Sequence, residues 1–194
     1  MAGITTALRR IRLTANNNTK QIIRTYDRYG GILYHPRNPQ VTIKDHTLRS
    51  ASLVFNGETK CDVKHVLPMT LLHTFGHLVS GKEITPYHAS NIAYRALQAL
   101  GLPAPVILPI LKKNKVEEYF IRHGYSIAKN NIDKMSQDLL MSRESIMNTM
   151  LMIEYSNKAL YSQETIFEDI MQFHEPLENI IVEELINRYN HGQF

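Results

Sequence analysis

One cysteine, no tryptophan and no long apolar run define much of what this 194-residue chain is not. The lone Cys61 excludes an intramolecular disulfide framework. No stretch approaches the roughly 20 consecutive apolar residues needed to span a bilayer. Met1-Ala2-Gly3-Ile4 leads into Arg9, Arg10 and Arg12 without the apolar core of a secretory signal. Such a chain is expected in an intracellular, cytoplasmic setting or within a virus particle, with no membrane contact. There the Asn17-Asn18-Thr19 sequon has no meaning. A Gly-rich phosphate loop, an internal repeat and a low-complexity tract are also lacking, and no Ser-His-Asp order can be singled out.

What is present suffices for a core. At 43% hydrophobic residues the composition is that of an ordinary globular chain. Residues 1–125 read as an α+β unit with a basic N-terminal region and 126–194 as a helical region with an acidic tail, or the two as one continuous domain. The net charge of +4 conceals a gradient. Residues 1–60 hold ten Lys/Arg against three Asp/Glu (+7), 61–160 hold eleven against eight (+3), and 161–194 hold one against seven (−6). A basic front and an acidic tail can attract each other, neighbouring copies, or outside partners of opposite sign.

The fold class expected is α+β, mostly helical, with a small antiparallel sheet near 31–66 followed by a helical bundle. Residues 21–29 read as an amphipathic helix with a mostly basic polar side, stopped by Gly30-Gly31. Ile32-Leu33-Tyr34, Val41-Thr42-Ile43 and residues 50–55 read as short strands, with Asn56-Gly57 a hairpin signal. Pro68 suits the first turn of a helix running to about Ser80, and Thr85-Pro86 opens another ending at Gly101. Further helices are expected near 106–123, 131–140, 142–156, 162–173 and 176–190.

Leu72-His73-Thr74-Phe75-Gly76-His77-Leu78 places two histidines at i and i+4, the spacing with which H-E-x-x-H presents two imidazoles to one zinc ion. Thr74 stands where that motif has its general base, and a hydroxyl cannot serve as one near neutral pH. A histidine beside Leu71, Leu72, Phe75 and Leu78 also fits a core residue bonded to backbone. The order of elements, the Gly76-His77 pair, the segment from His88 to Leu97 leading to Leu100-Gly101-Leu102-Pro103, and Met141-Ser142-Arg143-Glu144-Ser145-Ile146 together resemble the ImmA/IrrE family of small zinc peptidases over about residues 20–155. That resemblance implies at most a catalytically silent relative. Its zinc ligands would be His73 and His77, with His88 or Glu83 as the third. Elemental zinc is otherwise not expected, since two histidines alone bind it weakly.

Residues 132–146 also have the form of a helix-turn-helix. Arg143, Ser145 and Asn148 lie at the start of its second helix, and Leu140 occupies the turn position where Gly is usual. Met135, Met141, Met147, Met150 and Met152 crowd the same region and suit either core filling or an adaptable binding groove. In the acidic closing helix Leu177, Ile181, Leu185 and Tyr189 form one stripe that this domain or a neighbour must cover. The reading that follows is a non-enzymatic interaction, assembly or regulatory subunit without a cofactor. Arg9, Arg10, Arg12, Lys20, Arg24 and Arg28 would contact nucleic acid or an acidic partner, and the 177/181/185/189 stripe would dock onto protein or a second copy. The alternative is a metal-binding ImmA/IrrE-like regulator or a hydrolase with a degenerate HxxxH site.

Overall fold

A computed structural model describes residues 2–35, 38–57, 63–80, 84–124, 126, 130–163 and 165–193; the fold is mostly helical α+β with a two-stranded antiparallel sheet. Helix α1 (Ala2–Tyr29) buries Ile11, Ala15, Thr19, Ile22, Ile23 and Tyr26. This three-and-four spacing gives one inward stripe along a helix about 42 Å long. The helix stops at the two glycines, with the Gly30 N–H donating to the Tyr26 carbonyl at 2.7 Å. Strands β1 (Leu33–His35) and β2 (Asn38–Thr42) then pair, with Leu33 opposite Thr42.

The strand expected at 50–55 and the hairpin at Asn56-Gly57 are replaced by a helix, α2 (Ile43–Asn56). Thr42 and Asp45 form a reciprocal capping box that starts it as the chain leaves β2. Ile43, Leu48, Ala51 and Val54 then fall on a buried side. Ser50 and Ser52 donate their hydroxyls to the carbonyls of His46 and Leu48 at 2.7 and 2.8 Å, which satisfies them inside a helix. Gly57 caps α2, its N–H reaching the Val54 carbonyl at 3.4 Å.

The single helix expected from Pro68 to Ser80 is also corrected. It is two, α3 (Val63–Leu72) with Pro68 inside it and α4 (Phe75–Ser80), separated by a turn at His73-Thr74. Helix α5 (Pro86–Ala99) opens as expected at Thr85 and closes at Gly101, whose φ of 84° lets the Leu102 N–H reach back to the Leu97 carbonyl at 3.0 Å. Then follow α6 (Ala104–His123), α7 (Ile132–Leu139), α8 (Arg143–Ala159) and α9 (His174–Asn190). Between α8 and α9 the expected helix shrinks to one 3-10 turn (Ile170–Phe173). Thr165 donates its hydroxyl to the Phe167 carbonyl and Asp169 accepts the Met171 N–H, local bonds that compete with helix formation.

One main core unites the two ends of the chain: Ile11, Ile22 and Tyr26 of α1 cluster with Tyr155 of α8, Phe173, and Leu177, Ile181 and Leu185 of α9. A boundary near residue 125 therefore crosses shared packing. A smaller cluster holds Val116, Tyr119 and Phe120 of α6, Met135 of α7, and Ile146, Met150 and Ile153 of α8. Met135, Met150 and Met152 are buried and fill core. Among the described residues no helix is long and apolar enough to cross a membrane.

Candidate functional site

The His73-Thr74 turn is a meeting point for the polar groups of the core. His46 arrives from α2 and Ser156 from α8, neither of which the sequence reading singled out. The Nε2 atoms of His46 and His73 lie 3.1 Å apart, and Ser156 Oγ is 3.1 Å from the first and 3.0 Å from the second. His73 Nδ1 lies 2.6 Å from the Thr70 carbonyl, which can only accept. On hydrogen-bonding grounds its proton therefore sits on Nδ1, and Nε2 carries a lone pair. Ser156 Oγ–H can donate to that lone pair while His46 Nε2–H donates to Ser156 Oγ, a neutral chain of bonds ending on the backbone. Tyr34 stacks on the His46 ring at 3.8 Å and 11° and meets His73 edge-on at 6.4 Å.

Electrostatics reinforce the neutral state. Burial, with Lys113 and His46 adding to it, holds His73 well below the ordinary histidine value, against a smaller opposite effect of the Thr70 bond. His77 is lowered by partial burial and by Lys113. Burial pulls the Lys113 ammonium down, but Tyr34 and Glu117, the latter at 3.7 Å, outweigh it and leave Lys113 raised and charged. A hydroxyl on an imidazole whose other nitrogen is oriented by an acceptor has the form of a nucleophile and its base. Here His46, Ser156 and His73 are 0%, 2% and 6% exposed, which leaves no face for a substrate. The arrangement ties α2 and α8 to the α3–α4 turn.

Thr74, at the position a zinc peptidase gives to glutamate, is fully buried in a second neutral network. Its hydroxyl lies 3.1 Å from Thr47 Oγ1 and 3.3 Å from the Tyr26 hydroxyl, which itself donates to the Leu71 carbonyl. A carboxylate here would be a buried charge without a cationic partner in that network. Gly76 has an equally structural role. A Cβ built on it would fall 1.9 Å from the Ala89 carbonyl oxygen, so α4 meets α5 at a contact only glycine permits.

The three candidate metal ligands occupy separate settings. His73 is committed to His46, Ser156 and Thr70; His77 sits on α4; His88 is exposed on α5, its Nδ1 3.0 Å from Thr85 Oγ1. Glu83 lies outside the described residues. Among the described residues no three His, Cys, Asp or Glu side chains are grouped as a metal site requires. Among the described residues the side chains do not supply the three grouped ligands that the zinc of the ImmA/IrrE resemblance needs.

In the 132–159 pair, Arg143 lies 3.3 Å from Asp133 across the turn with its side chain 65% exposed, while Asn148 is 7% exposed, so of these two only the arginine faces outward. The stripe assigned to a protein partner is likewise corrected. Leu177, Ile181 and Leu185 are 1%, 0% and 5% exposed and belong to the chain's own core, with only Tyr189 outside at 42%.

The basic residues of α1 are placed differently. Arg9, Arg10, Arg12, Lys20, Arg24 and Arg28 are all exposed, and none forms an ion pair among the described residues. Asn17, Lys20, Gln21, Arg24, Thr25, Arg28 and Tyr29 border one shallow groove along the outer side of the helix. The acidic tail does not neutralise this face. Asp169 pairs with Lys44, Glu183 with Lys64, Glu184 with Arg188, and Glu178 with His174 and the Asn16 amide. Compared with known proteins, the chain matches no protein-family model and no curated sequence.

Proposed function

We propose that the protein is a non-enzymatic interaction subunit whose outer α1 face engages a polyanionic partner, nucleic acid or an acidic protein. The observation that supports this reading is the set of six exposed cations on one helix, unpaired among the described residues while Asp169, Glu178, Glu183 and Glu184 of the tail have partners elsewhere. The inner side of α1 is clamped by Ile11, Ala15, Ile22 and Tyr26, each fully buried, so the cations stand on a rigid support. Burial of His46, His73 and Ser156 speaks for a structural role at the site that most resembles catalytic chemistry.

Immobilised heparin, a polyanion of no particular sequence, provides the test. The native chain is expected to be retained and eluted by salt, and a Lys20→Gln/Arg24→Gln/Arg28→Gln variant to elute at clearly lower salt with an unchanged circular-dichroism spectrum. Equal elution of the two would refute this assignment of the surface.

A further inference from the structure

We infer that the polyanion is a B-form nucleic-acid duplex, gripped by its phosphates on the two rims of one groove without selection of sequence; this rests on the reading of the α1 face given above. At 100° per residue, Arg9, Arg10, Lys20, Arg24 and Arg28 fall within about a third of the helix circumference, on the side away from Ile22 and Tyr26. They form two groups, Arg9 with Arg10 and Lys20 with Arg24 and Arg28. A rise of 1.5 Å per residue puts the group centres about 22 Å apart. The intervening turns expose Leu13 and Asn17 toward that side but no charge. The span exceeds the width of a minor groove, about 6 Å, by far more than that of a major groove, about 12 Å, so the rims of the major groove are the closer match.

The chemistry of the face also separates a duplex from the other polyanions. Four of these five cations are arginines, whose planar forks match phosphate oxygens two at a time. Asn17 and Gln21 lie among them and are phosphate donors of the usual kind, while the Thr25 hydroxyl donates to the Gln21 carbonyl at 2.8 Å. A single strand is held by stacking bases on aromatic side chains, and the face offers only Tyr29, which already carries the Arg28 guanidinium 5.2 Å from its ring centroid. An acidic protein would need buried apolar or aromatic anchors, and between the two groups the only large apolar side chain in the open is Leu13 at 63%.

Fluorescence anisotropy of the full chain with labelled probes tests this: two 20-base-pair DNA duplexes of unrelated sequence, one of their single strands, and an RNA duplex of the same length. The two DNA duplexes should bind within about threefold of each other, and the single strand and RNA duplex about tenfold or more weaker. Arg9→Gln/Arg10→Gln and Arg24→Gln/Arg28→Gln should each lower duplex affinity about tenfold and reduce the slope of log K against log salt by nearly 2. Retention on heparin without duplex binding, tighter binding of the single strand or of the RNA duplex, or more than tenfold discrimination between the DNA duplexes would each overturn the inference while leaving the polyanion reading intact. Loss of heparin retention as well would overturn both.

Discussion

His73 shows how far one side chain's chemistry can be removed from its motif. The spacing to His77 suggests a metal helix, yet the imidazole turns to His46 and Ser156 and is held neutral by burial. The sign of its pH effect follows. The unfolded chain takes up a proton near the ordinary value of about 6.5, while the folded chain resists until much lower pH. The stabilising contribution is therefore complete above about 6.5 and is lost as pH falls from there toward the folded value, at up to about 1.4 kcal/mol per pH unit. His77 acts in the same direction. Asp169, held below the ordinary carboxylate range by its bond to the Met171 N–H and by Lys44, leaves this window clear. Urea denaturation at pH 7.5 and 5.5 should show a lower midpoint in acid, and a His73→Gln variant a smaller difference between the two. An unchanged or higher midpoint at pH 5.5 would mean that His73 is not held neutral.

Among the elements, those marked by caps and breakers were the most legible. Gly30-Gly31, Thr85-Pro86, Gly101 and Ser142 bound helices where they stand in the sequence. Residues 50–55 suit a buried strand by their apolar content, while the decisive signal lies upstream in Thr42 and Asp45. The break at His73-Thr74 was not legible, since it depends on Tyr26, Thr47, His46 and Ser156 arriving from three other helices. Leu140 stands in the sequence at a position where glycine is usual, and the structure gives it φ 52° and ψ 50°, 89% exposed, the Met141 N–H reaching back to the Ser136 carbonyl at 3.1 Å. A left-handed leucine costs about 1–2 kcal/mol and glycine's extra unfolded-state entropy about 0.5–1. Leu140→Gly should thus raise stability by about 0.5–1 kcal/mol, read as a higher thermal midpoint. A fall would show that the leucine side chain makes contacts worth more than its backbone strain.

On the scale of the whole molecule, the charge gradient was legible and its use was not. The acidic tail was expected to reach outward, and it folds back along α1. Leu177, Ile180, Ile181 and Leu185 together contribute about 6–12 kcal/mol of apolar burial, comparable with the entire net stability of a domain. Deleting residues 174–194 should therefore unfold the chain rather than release a smaller folded species. Leu185→Asp should destabilise it by at least about 3 kcal/mol, measurable by chemical denaturation. A folded, cooperative truncation product would show that α9 is dispensable. The histidine–serine chain has a consequence of another kind, in the order of events as the protein folds. Its three contacts join residues 27, 83 and 110 positions apart, so none can form until segments from distant parts of the chain have been brought together. Closing such loops costs entropy before any bond rewards it. The polar centre thus offers no local contact from which folding could start, and it depends on the same long-range closure that gathers the apolar core around it.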